Sequence, residues 1–243
     1  MRSCFDGNAF IAGYPWYAYY WARDAAFSSI GASLTSMQNF ARKTILFFFK
    51  YFDEKFPNFI LDSKVSYNSK DSLPLFLIAL EEYLKNSSDF EILKILKSKL
   101  EKAFDYYRKN SNEKGFIYSE ANETWLDTLS REGYNLEIQV FWYRALKSLS
   151  EFFNLLGNKK LREEALFYSN NLKNKIIEYF LVDGVFIDNL NSKKVTINSI
   201  FPFVFGISSD YEIFKEIENH LKETYGFLSL SKFDKDFDEN SYH

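Results

Sequence analysis

The sequence contains few of the residues that build disulfides, metal centres and tight turns. It has one cysteine, Cys4, and two histidines, His220 and His243, among 243 residues. An internal disulfide is therefore excluded, and a metal site made from His and Cys ligands is not available. Nine glycines and four prolines favour long helices over a β protein with many turns. We predict no metal and no cofactor, and the single cysteine predicts a cytoplasmic chain.

Long apolar runs and a strong net charge are also absent. The longest apolar stretches, residues 45–49 and 73–80, are far shorter than the ~20 residues that span a bilayer. No secretion signal is visible, because Asp6 interrupts the N-terminal stretch. The net charge is -3 without a basic block, so we expect neither a membrane nor nucleic acid as a partner. The hydrophobic fraction of 47% and the aromatic fraction of 20% provide ample material for a core.

The sequence is organised by a repeated unit. A turn followed by a short apolar run occurs four times, starting at Asn58, Gly115, Gly184 and Gly226. Each of the first three is followed by a polar loop, an apolar helix and a charged helix, which is typical of stacked helical hairpins. The predicted helices cover residues 25–34, 37–56, 72–84, 89–109, 136–156, 159–180, 198–206 and 209–224. Apolar helices inside and amphipathic helices outside predict a two-layer α/α toroid, with an irregular helical bundle as the alternative.

The stretch from residue 115 to 143, GFIYSEANETWLDTLSREGYNLEIQVFWY, contains the strongest candidate site. Trp125 lies two residues before Asp127, and Glu137 lies in the first turn of the next predicted helix. Aromatic faces stack on the apolar faces of sugar rings, and carboxylates bind hydroxyls or transfer protons. The pattern therefore indicates a sugar site. The alternative is a surface loop with a capping aspartate and a core tryptophan.

Several polar residues share one position in the repeat, in the loops that lead into apolar helices or in the first turns of those helices. In a toroid these helix ends converge on one mouth, which predicts a shared pocket. The residues are Asp24, Asp71, Asp127, Glu137 and Asn198. Each has a structural alternative: a helix cap for Asp24, Asp71 or Asn198, and an acid that complements the helix dipole for Glu137. The four tryptophans, Trp16, Trp21, Trp125 and Trp142, have the alternative of lying in the core.

Four segments together resemble a known family. They are AGYPWYAYYWARD, YNSKDSLPLFLIAL, ETWLDTLSREGYNLEIQVFWYRAL and the closing SYH. They are similar to the C-terminal domain of glycogen debranching enzymes of the amylo-alpha-1,6-glucosidase type. The resemblance implies an all-α (α/α)6 toroid. About four of its six helical hairpins are expected here, so that residues 1–243 form a partial glycosidase domain lacking its C-terminal hairpins.

The resemblance also implies roles for single residues. Asp127 is expected to be the general acid, and the family's general base, a glutamate, is expected outside this chain. The residues expected to bind substrate are Trp16, Trp21, Arg23, Asp24, Asp71, Trp125, Arg131 and Glu137. The expected chemistry is single displacement with inversion, for which acid and base lie ~6.5–9.5 Å apart. The sequence departs mildly from the family at Ala22, Leu126 and Ser130, where Gly, Met and Pro are usual.

Three functions follow as hypotheses. The first is a glycosidase that cleaves α-1,6-linked glucose at branch points of glycogen or limit dextrin and is inactive without the missing C-terminal part. Its expected partners are α-glucan and a second chain that completes the toroid. We expect one half of a split enzyme or a truncated product. The second hypothesis is a non-catalytic glucan-binding or assembly subunit, and the third is another toroid glycosidase, such as a trehalase-like enzyme.

Overall fold

Eight α-helices form the framework of the chain. The computed structural model describes residues 2–62, 64–126, 129 and 131–239, and the count of helices refers to these. The helices are α1 (Ala22–Ser33), α2 (Gln38–Lys50), α3 (Ser72–Ser87), α4 (Glu91–Asn110), α5 (Leu136–Leu155), α6 (Lys159–Phe180), α7 (Phe201–Val204) and α8 (Tyr211–Leu221). Two short 3-10 helices cover Arg2–Cys4 and Ile197–Ile200. No helix in these residues is both long and apolar enough to cross a bilayer.

The chain divides into two compact units. Unit 1 comprises Met1–Lys109 and Ala145–Leu166, and unit 2 comprises Asn110–Arg144 and Phe167–His243. The interpretation of residues 1–243 as one partial toroid domain stays a prediction.

The expected alternation of buried and amphipathic helices is present in unit 1. Helix α3 is buried along almost its whole length, from Ser72 to Leu84. Helix α4 buries only one stripe, which includes Ile92, Leu96 and Leu100. The difference follows from the sequence, because α3 has a continuous apolar run whereas α4 repeats apolar residues every three or four positions.

Aromatic side chains fill the core of unit 1. The ring of Phe76 on α3 lies 4.6 Å from Phe48 on α2 and 5.1 Å from Phe56, measured between ring centroids. Phe52 and Phe56 also contact each other at 5.5 Å. Tilted and edge-on ring pairs of this kind contribute roughly 0.5–1.5 kcal/mol beyond the burial of their area.

Three of the four predicted units of a turn and apolar residues contain short antiparallel strands. They are β1 (Tyr20–Trp21), β2 (Phe59–Leu61), β3 (Lys64–Ser66), β4 (Leu181–Val182), β5 (Val185–Phe186), β6 (Lys222–Glu223) and β7 (Gly226–Phe227). Strand β2 pairs with both β1 and β3, whereas β4 pairs with β5 and β6 with β7. Strands of two or three residues are too short to show an alternating sequence pattern, so the sequence predicted turns there but no sheet.

Some predicted helix boundaries were wrong. Helix α1 begins at Ala22 rather than at residue 25, which places Asp24 in its first turn instead of at its N-cap. Helix α2 ends at Lys50 rather than at residue 56, because the chain turns there and Phe52 and Phe56 are buried in the aromatic core. The helix predicted for residues 198–206 is a 3-10 turn followed by the single turn α7, and Thr196 rather than Asn198 is its cap.

The aromatic core of unit 1 leads to a stability prediction. We expect Phe76→Ala to lower the free energy of unfolding by about 3–5 kcal/mol, because the fully buried ring leaves a cavity between α2 and α3. Phe27→Ala on α1 serves as the matched control, since that ring is 46% exposed. Urea denaturation of both variants measures the difference. Equal losses for the two substitutions would contradict the packing described here.

Candidate active site

Arg23 and Asp71 form an ion pair in unit 1. Arg23 lies in the first turn of α1 and Asp71 directly precedes α3. The Nε atom of Arg23 donates to Asp71 Oδ2 at 2.6 Å, and its Nη2 atom donates to Oδ1 at 3.2 Å. Ser69 donates to the same Oδ1. Asp71 is the N-cap residue of α3, but its side chain accepts no capping hydrogen bond. The carboxylate is fully buried while Arg23 is 21% exposed, so Asp71 fixes the direction of the guanidinium.

Asp24 has a different environment from Asp71. Its side chain is exposed, and within the described part of the chain no other side chain makes a hydrogen bond to its carboxylate. Protein nevertheless surrounds much of the side chain, and this burial raises the pKa of Asp24; its own backbone N–H and Arg23 oppose the shift, and Asp71 adds to it. Asp24 is therefore an acid whose carboxylate remains open to a ligand.

The tryptophans predicted to stack on sugars differ in exposure. Trp16 is 79% exposed, on a loop closed by hydrogen bonds between Gly13 and Tyr17 of 2.8 and 3.0 Å. Trp21 is half-buried, with its ring 4.6 Å from Phe59. Trp142 is fully buried, as the core alternative predicted. Trp16 and Trp21 thus keep aromatic surface available for a ligand.

Arg131 is the centre of a buried network in unit 2. Its Nη1 and Nη2 atoms donate to the two oxygens of Glu137 at 2.8 and 2.7 Å. Its Nε and Nη2 atoms donate to the two oxygens of Asp188 at 2.7 and 2.9 Å. The Thr124 hydroxyl accepts the remaining N–H at 2.9 Å. Because arginine has five N–H donors, all of them have acceptors within the protein. The side chains of Arg131, Glu137 and Asp188 are 5%, 0% and 3% exposed.

A second chain of hydrogen bonds joins Trp125 to the same carboxylate. The indole Nε1 atom of Trp125 donates to Asn198 Oδ1 at 2.8 Å. Asn198 Nδ2 then donates to Asp188 Oδ1 at 2.8 Å, and the Thr196 hydroxyl donates to that oxygen at 2.6 Å. Trp125 is half-buried, and its ring also packs edge-on against Phe201. Both Trp125 and Arg131 are therefore connected to Asp188.

The backbone after Arg131 is held by Gly133. Gly133 exchanges two 2.9 Å hydrogen bonds with Ser119 and has a φ of 122°. This φ favours glycine, and a Cβ at this position would also lie 2.7 Å from Asn191 Nδ2, so that side chain would have to move. Leu136 begins α5 shortly afterwards, and its N–H donates to the Asp188 carbonyl at 2.8 Å. The segment that leads into α5 is thus anchored at several points.

The charges of this network are unequal in number. One guanidinium faces two carboxylates, so the cluster has a net negative charge when all three groups are ionised. Burial alone would lower the pKa of Arg131, but the charges of Glu137 and Asp188 raise it overall. Burial raises the pKa of Glu137 although Arg131 opposes this shift. Arg131 therefore stays charged. Without Arg131, the two buried carboxylates would have no counter-ion, and burying them would cost free energy.

A cavity of about 390 Å³ lies beside the network in unit 2. Arg131 and Asp188 contribute to its wall together with Leu129, Asn191, Lys194 and Asp236. The volume is in the range of small-molecule sites in proteins. Among the described residues, no group of three or more His, Cys, Asp or Glu side chains is arranged to hold a metal ion.

The structure therefore brings together two groups of predicted residues, Arg23 with Asp71 in unit 1 and Trp125, Arg131 and Glu137 in unit 2. Asp127 lies outside the described residues. The predicted convergence of Asp24, Asp71, Asp127 and Glu137 at one mouth stays a prediction.

The sequence did not indicate Asp188 or Thr124 as members of the site. It placed Asn198 only among the residues expected at the shared pocket. The one available indication for Asp188 was its position directly after the apolar residues Val185, Phe186 and Ile187, at the start of a polar loop.

Comparison with known families agrees with the sequence resemblance. A family model described as amylo-alpha-1,6-glucosidase matches residues 2–242. A search of curated protein sequences found no match.

Solved structures share the fold at low sequence identity. An uncharacterized conserved protein from Thermus thermophilus matches with a TM-score of 0.80 and 12% identity, over 99% of this chain and 79% of that one. The GH63 mannosylglycerate hydrolase of the same organism, in complex with glucose, matches with a TM-score of 0.79, 12% identity and the same coverage. A rhamnosidase from Klebsiella oxytoca with rhamnose bound gives 0.67 and 14%, over 86% of this chain and 42% of that one. The predicted fold class, all-α with hairpins of the (α/α)6 toroid type, is confirmed.

The Arg131 network predicts an unequal response to loss of an arginine. We expect Arg131→Met to lower the free energy of unfolding by about 3–5 kcal/mol, because two buried carboxylates lose their counter-ion. Arg108→Met is the control, since its pairs with Glu164 and Asp105 are exposed and such pairs contribute about 1 kcal/mol or less. The loss in Arg131→Met should shrink as the pH falls from 7 to 5, because burial raises the pKa of Glu137 and this unpaired carboxyl takes up a proton. Equal losses at the two arginines, or a larger loss at low pH, would contradict this account.

The raised pKa of Asp24 predicts a pH-dependent effect of its own. A folded-state pKa above the ordinary value of 3.8 means that the folded chain binds the proton more tightly, so ionisation of Asp24 lowers stability as the pH rises through this pKa. We therefore expect Asp24→Asn to be more stable than the wild type at pH 7, with the difference disappearing towards pH 3. Urea denaturation across this range measures it. Asp183→Asn, at an exposed turn, controls for the substitution, and a pH-independent difference at Asp24 would exclude this explanation.

Proposed function

Because the chain belongs to the amylo-alpha-1,6-glucosidase family, we propose that it hydrolyses α-1,6-linked glucose at the branch points of glycogen or limit dextrin. The family relationship and the glycosidase fold support a sugar hydrolase. The more specific part of the proposal is that the bond it cleaves is the α-1,6 bond. The glucose in the related mannosylglycerate hydrolase supports a glucose-sized ligand. We also propose that the chain works in the cytoplasm, on α-glucan, with a second chain completing the domain.

The proposed reaction is a single displacement with inversion. A water oxygen attacks C1 of the glucose, and a carboxylate base takes the proton of that water. The bond from C1 to the glycosidic oxygen breaks, and Asp127 gives its proton to that oxygen. The products are β-glucose and a glucan with a free 6-hydroxyl group. We propose that the base lies outside residues 1–243, as the sequence resemblance implies.

The observation that carries this proposal is the buried network around Arg131. Trp125 and Arg131 flank Asp127 in the sequence, and each is held by hydrogen bonds to buried groups. A general acid needs a fixed direction towards the oxygen that it protonates. Holding both sides of the segment supports Asp127 as that acid.

We assign the contact with glucose to groups that remain open. Arg23 and Asp24 are proposed to bind hydroxyls, and Trp16, Trp21 and Trp125 to provide stacking surfaces. The fully buried Asp71 would act on the sugar only through Arg23. Arg131 and Glu137 are closed by their mutual hydrogen bonds, so we propose that they support the site by fixing the start of α5 to the loop that precedes it.

A non-catalytic glucan-binding role is the second candidate. It is favoured by the exposed aromatic loop with Tyr14, Trp16 and Tyr17, which are 60%, 79% and 64% exposed. Such a loop can hold a glucan chain without any proton transfer. This role predicts binding of maltooligosaccharides that is weakened by Trp16→Ala, with no bond cleavage under any condition.

The decisive experiment supplies a nucleophile that needs no base. Azide is already an anion, so it can attack C1 without a proton acceptor and yield β-glucosyl azide, while Asp127 still protonates the leaving oxygen. We expect the full chain with azide and a limit dextrin to form this product. Asp127→Asn should lower the rate by at least about 100-fold, in line with the usual contribution of acid catalysis. Product analysis by NMR identifies the anomer.

Controls separate the proposals. Asp183→Asn makes the same chemical change at an exposed turn and should keep the full rate. A mannosylglycerate and a rhamnoside test the substrates of the structural relatives, and faster cleavage of either would exclude the α-1,6 glucan assignment. An undiminished rate in Asp127→Asn would exclude Asp127 as the acid. Binding of maltooligosaccharide with no product from any substrate would support the glucan-binding role instead.

A further inference from the structure

Unit 1 contains a groove that the proposed reaction does not use. The groove has a volume of about 520 Å³ and is formed by the first half of α4 and by the end of α5. Its walls are lined by Phe90, Leu93, Lys94, Lys97, Leu155 and Leu156. Four of these six side chains are apolar, two are lysines and none is acidic. A volume of this size is typical of sites for small molecules.

The apolar part of the groove is open to solvent. Phe90 and Leu155 are 50% and 53% exposed, whereas Leu93 between the two lysine-bearing turns and the core is 1% exposed. An apolar group that filled the groove would remove the exposed surface of Phe90 and Leu155 from water, which is favourable in proportion to the area buried. The groove therefore fits a ligand with an apolar part.

The two lysines give the groove a positive charge, although the net charge of the chain is -3. Lys94 forms an exposed ion pair with Glu91 at 2.9 Å, and pairs of this kind are weak. Lys97 is exposed and makes no ion pair or hydrogen bond with any residue that the structure describes. Because the lysines are three positions apart on α4, they lie on the same face of the helix. An ammonium group is therefore available for an anion beside the apolar surface.

Both walls of the groove are held by the fold. The ring of Phe104 on α4 lies 5.9 Å from the ring of Phe153 on α5. Directly after Leu156, Gly157 has a φ of 75°, the left-handed conformation that commonly ends a helix. The Asn158 N–H then donates to the Phe153 carbonyl at 2.8 Å. Walls that are already in place reduce the ordering cost that a ligand must overcome.

We propose that this groove binds an anionic amphiphile, a carboxylate with an unbranched acyl chain. The chain would cover Phe90, Leu93 and Leu155, and the carboxylate would pair with Lys97 and Lys94. A helix rises 1.5 Å per residue, so residues 90–97 extend over about 10 Å. Three bonds of an extended chain cover about 3.8 Å, so a chain of about eight to ten carbons matches this length.

The concave shape favours a single acyl chain over the surface of a bilayer, because a bilayer presents a broad face rather than one narrow segment. This site is separate from the residues assigned to the glycosidase reaction, and it does not depend on the proposed function.

Calorimetric titration of the full chain with decanoate tests the charge and the chain length of the ligand. We expect decanoate to bind at least about tenfold more tightly than decyltrimethylammonium, which has the opposite charge on the same chain. Octanoate should bind about four- to fifteenfold more weakly than decanoate, because it has two fewer CH₂ groups to bury. Equal affinity for the two charges, equal affinity for the two chain lengths, or no saturable binding of decanoate would overturn the proposal.

Variants with matched controls locate the binding. We expect the double variant Lys94→Gln with Lys97→Gln to lower the affinity for decanoate about three- to tenfold, with neutral decanol unaffected. Lys102→Gln, on the same helix but outside the groove, is the control for charge. Leu155→Ser should weaken decanoate and decanol alike, whereas Ile95→Ser, also 53% exposed but outside the groove, should change neither. Urea denaturation verifies that each variant folds. Equal losses in the groove variants and their controls would place the ligand elsewhere and overturn the proposal.

Two further probes distinguish a free amphiphile from larger partners. We expect no sedimentation of the chain with vesicles of phosphatidylglycerol or of phosphatidylcholine. Sedimentation with phosphatidylglycerol vesicles, without binding of decanoate, would assign the groove to a membrane and overturn the proposal. Binding of an acidic helical peptide of Leu and Glu, again without binding of decanoate, would assign it to a protein partner and also overturn the proposal.

Discussion

The sharing of one guanidinium by two buried carboxylates is the constraint on which the candidate site in unit 2 depends. Arg131 binds Glu137 at the start of α5 and Asp188 in the loop before the 3-10 helix Ile197–Ile200. Its planar fork has two edges that each fit a carboxylate, and a lysine could not bind both in this way. The position of the segment before α5 is therefore set by charge and direction as well as by packing.

The predicted acids have two kinds of surroundings. In unit 1, Asp71 is buried against Arg23, whereas Asp24 stays exposed. In unit 2, Glu137 is buried against Arg131. A buried acid paired with arginine directs the arginine, whereas an open acid keeps hydrogen-bonding capacity for a ligand. The same residue type thus occurs in both situations, and only the surroundings distinguish them.

Much of the fold was predictable from the sequence, because the residues that a helix buries are apolar and recur at a regular spacing. The range 159–180 predicted for α6 agrees with Lys159–Phe180, and the apolar helix α3 and the amphipathic helix α4 were distinguished correctly. The end of α2 was missed because Phe52 and Phe56 fit a helical pattern equally well, although the chain buries them after a turn. The pairing of Arg131 with Asp188 was also missed, since neither periodicity nor local spacing reports a contact across 57 positions. Site residues with a family motif were predictable as candidates, but their partners required coordinates.

The Arg131 network is an inefficient way to stabilise a protein. Burying three charged side chains costs several kcal/mol each before their mutual attraction is counted, and apolar groups of similar volume often stabilise as well or better. Apolar packing, however, fixes a loop only through shape, whereas the hydrogen bonds of Asp188 fix direction at Thr196, Asn198 and Arg131 together. A general acid depends on direction to within a few tenths of an ångström. The network is therefore better explained by the geometry that it imposes on its neighbours than by the stability that it adds.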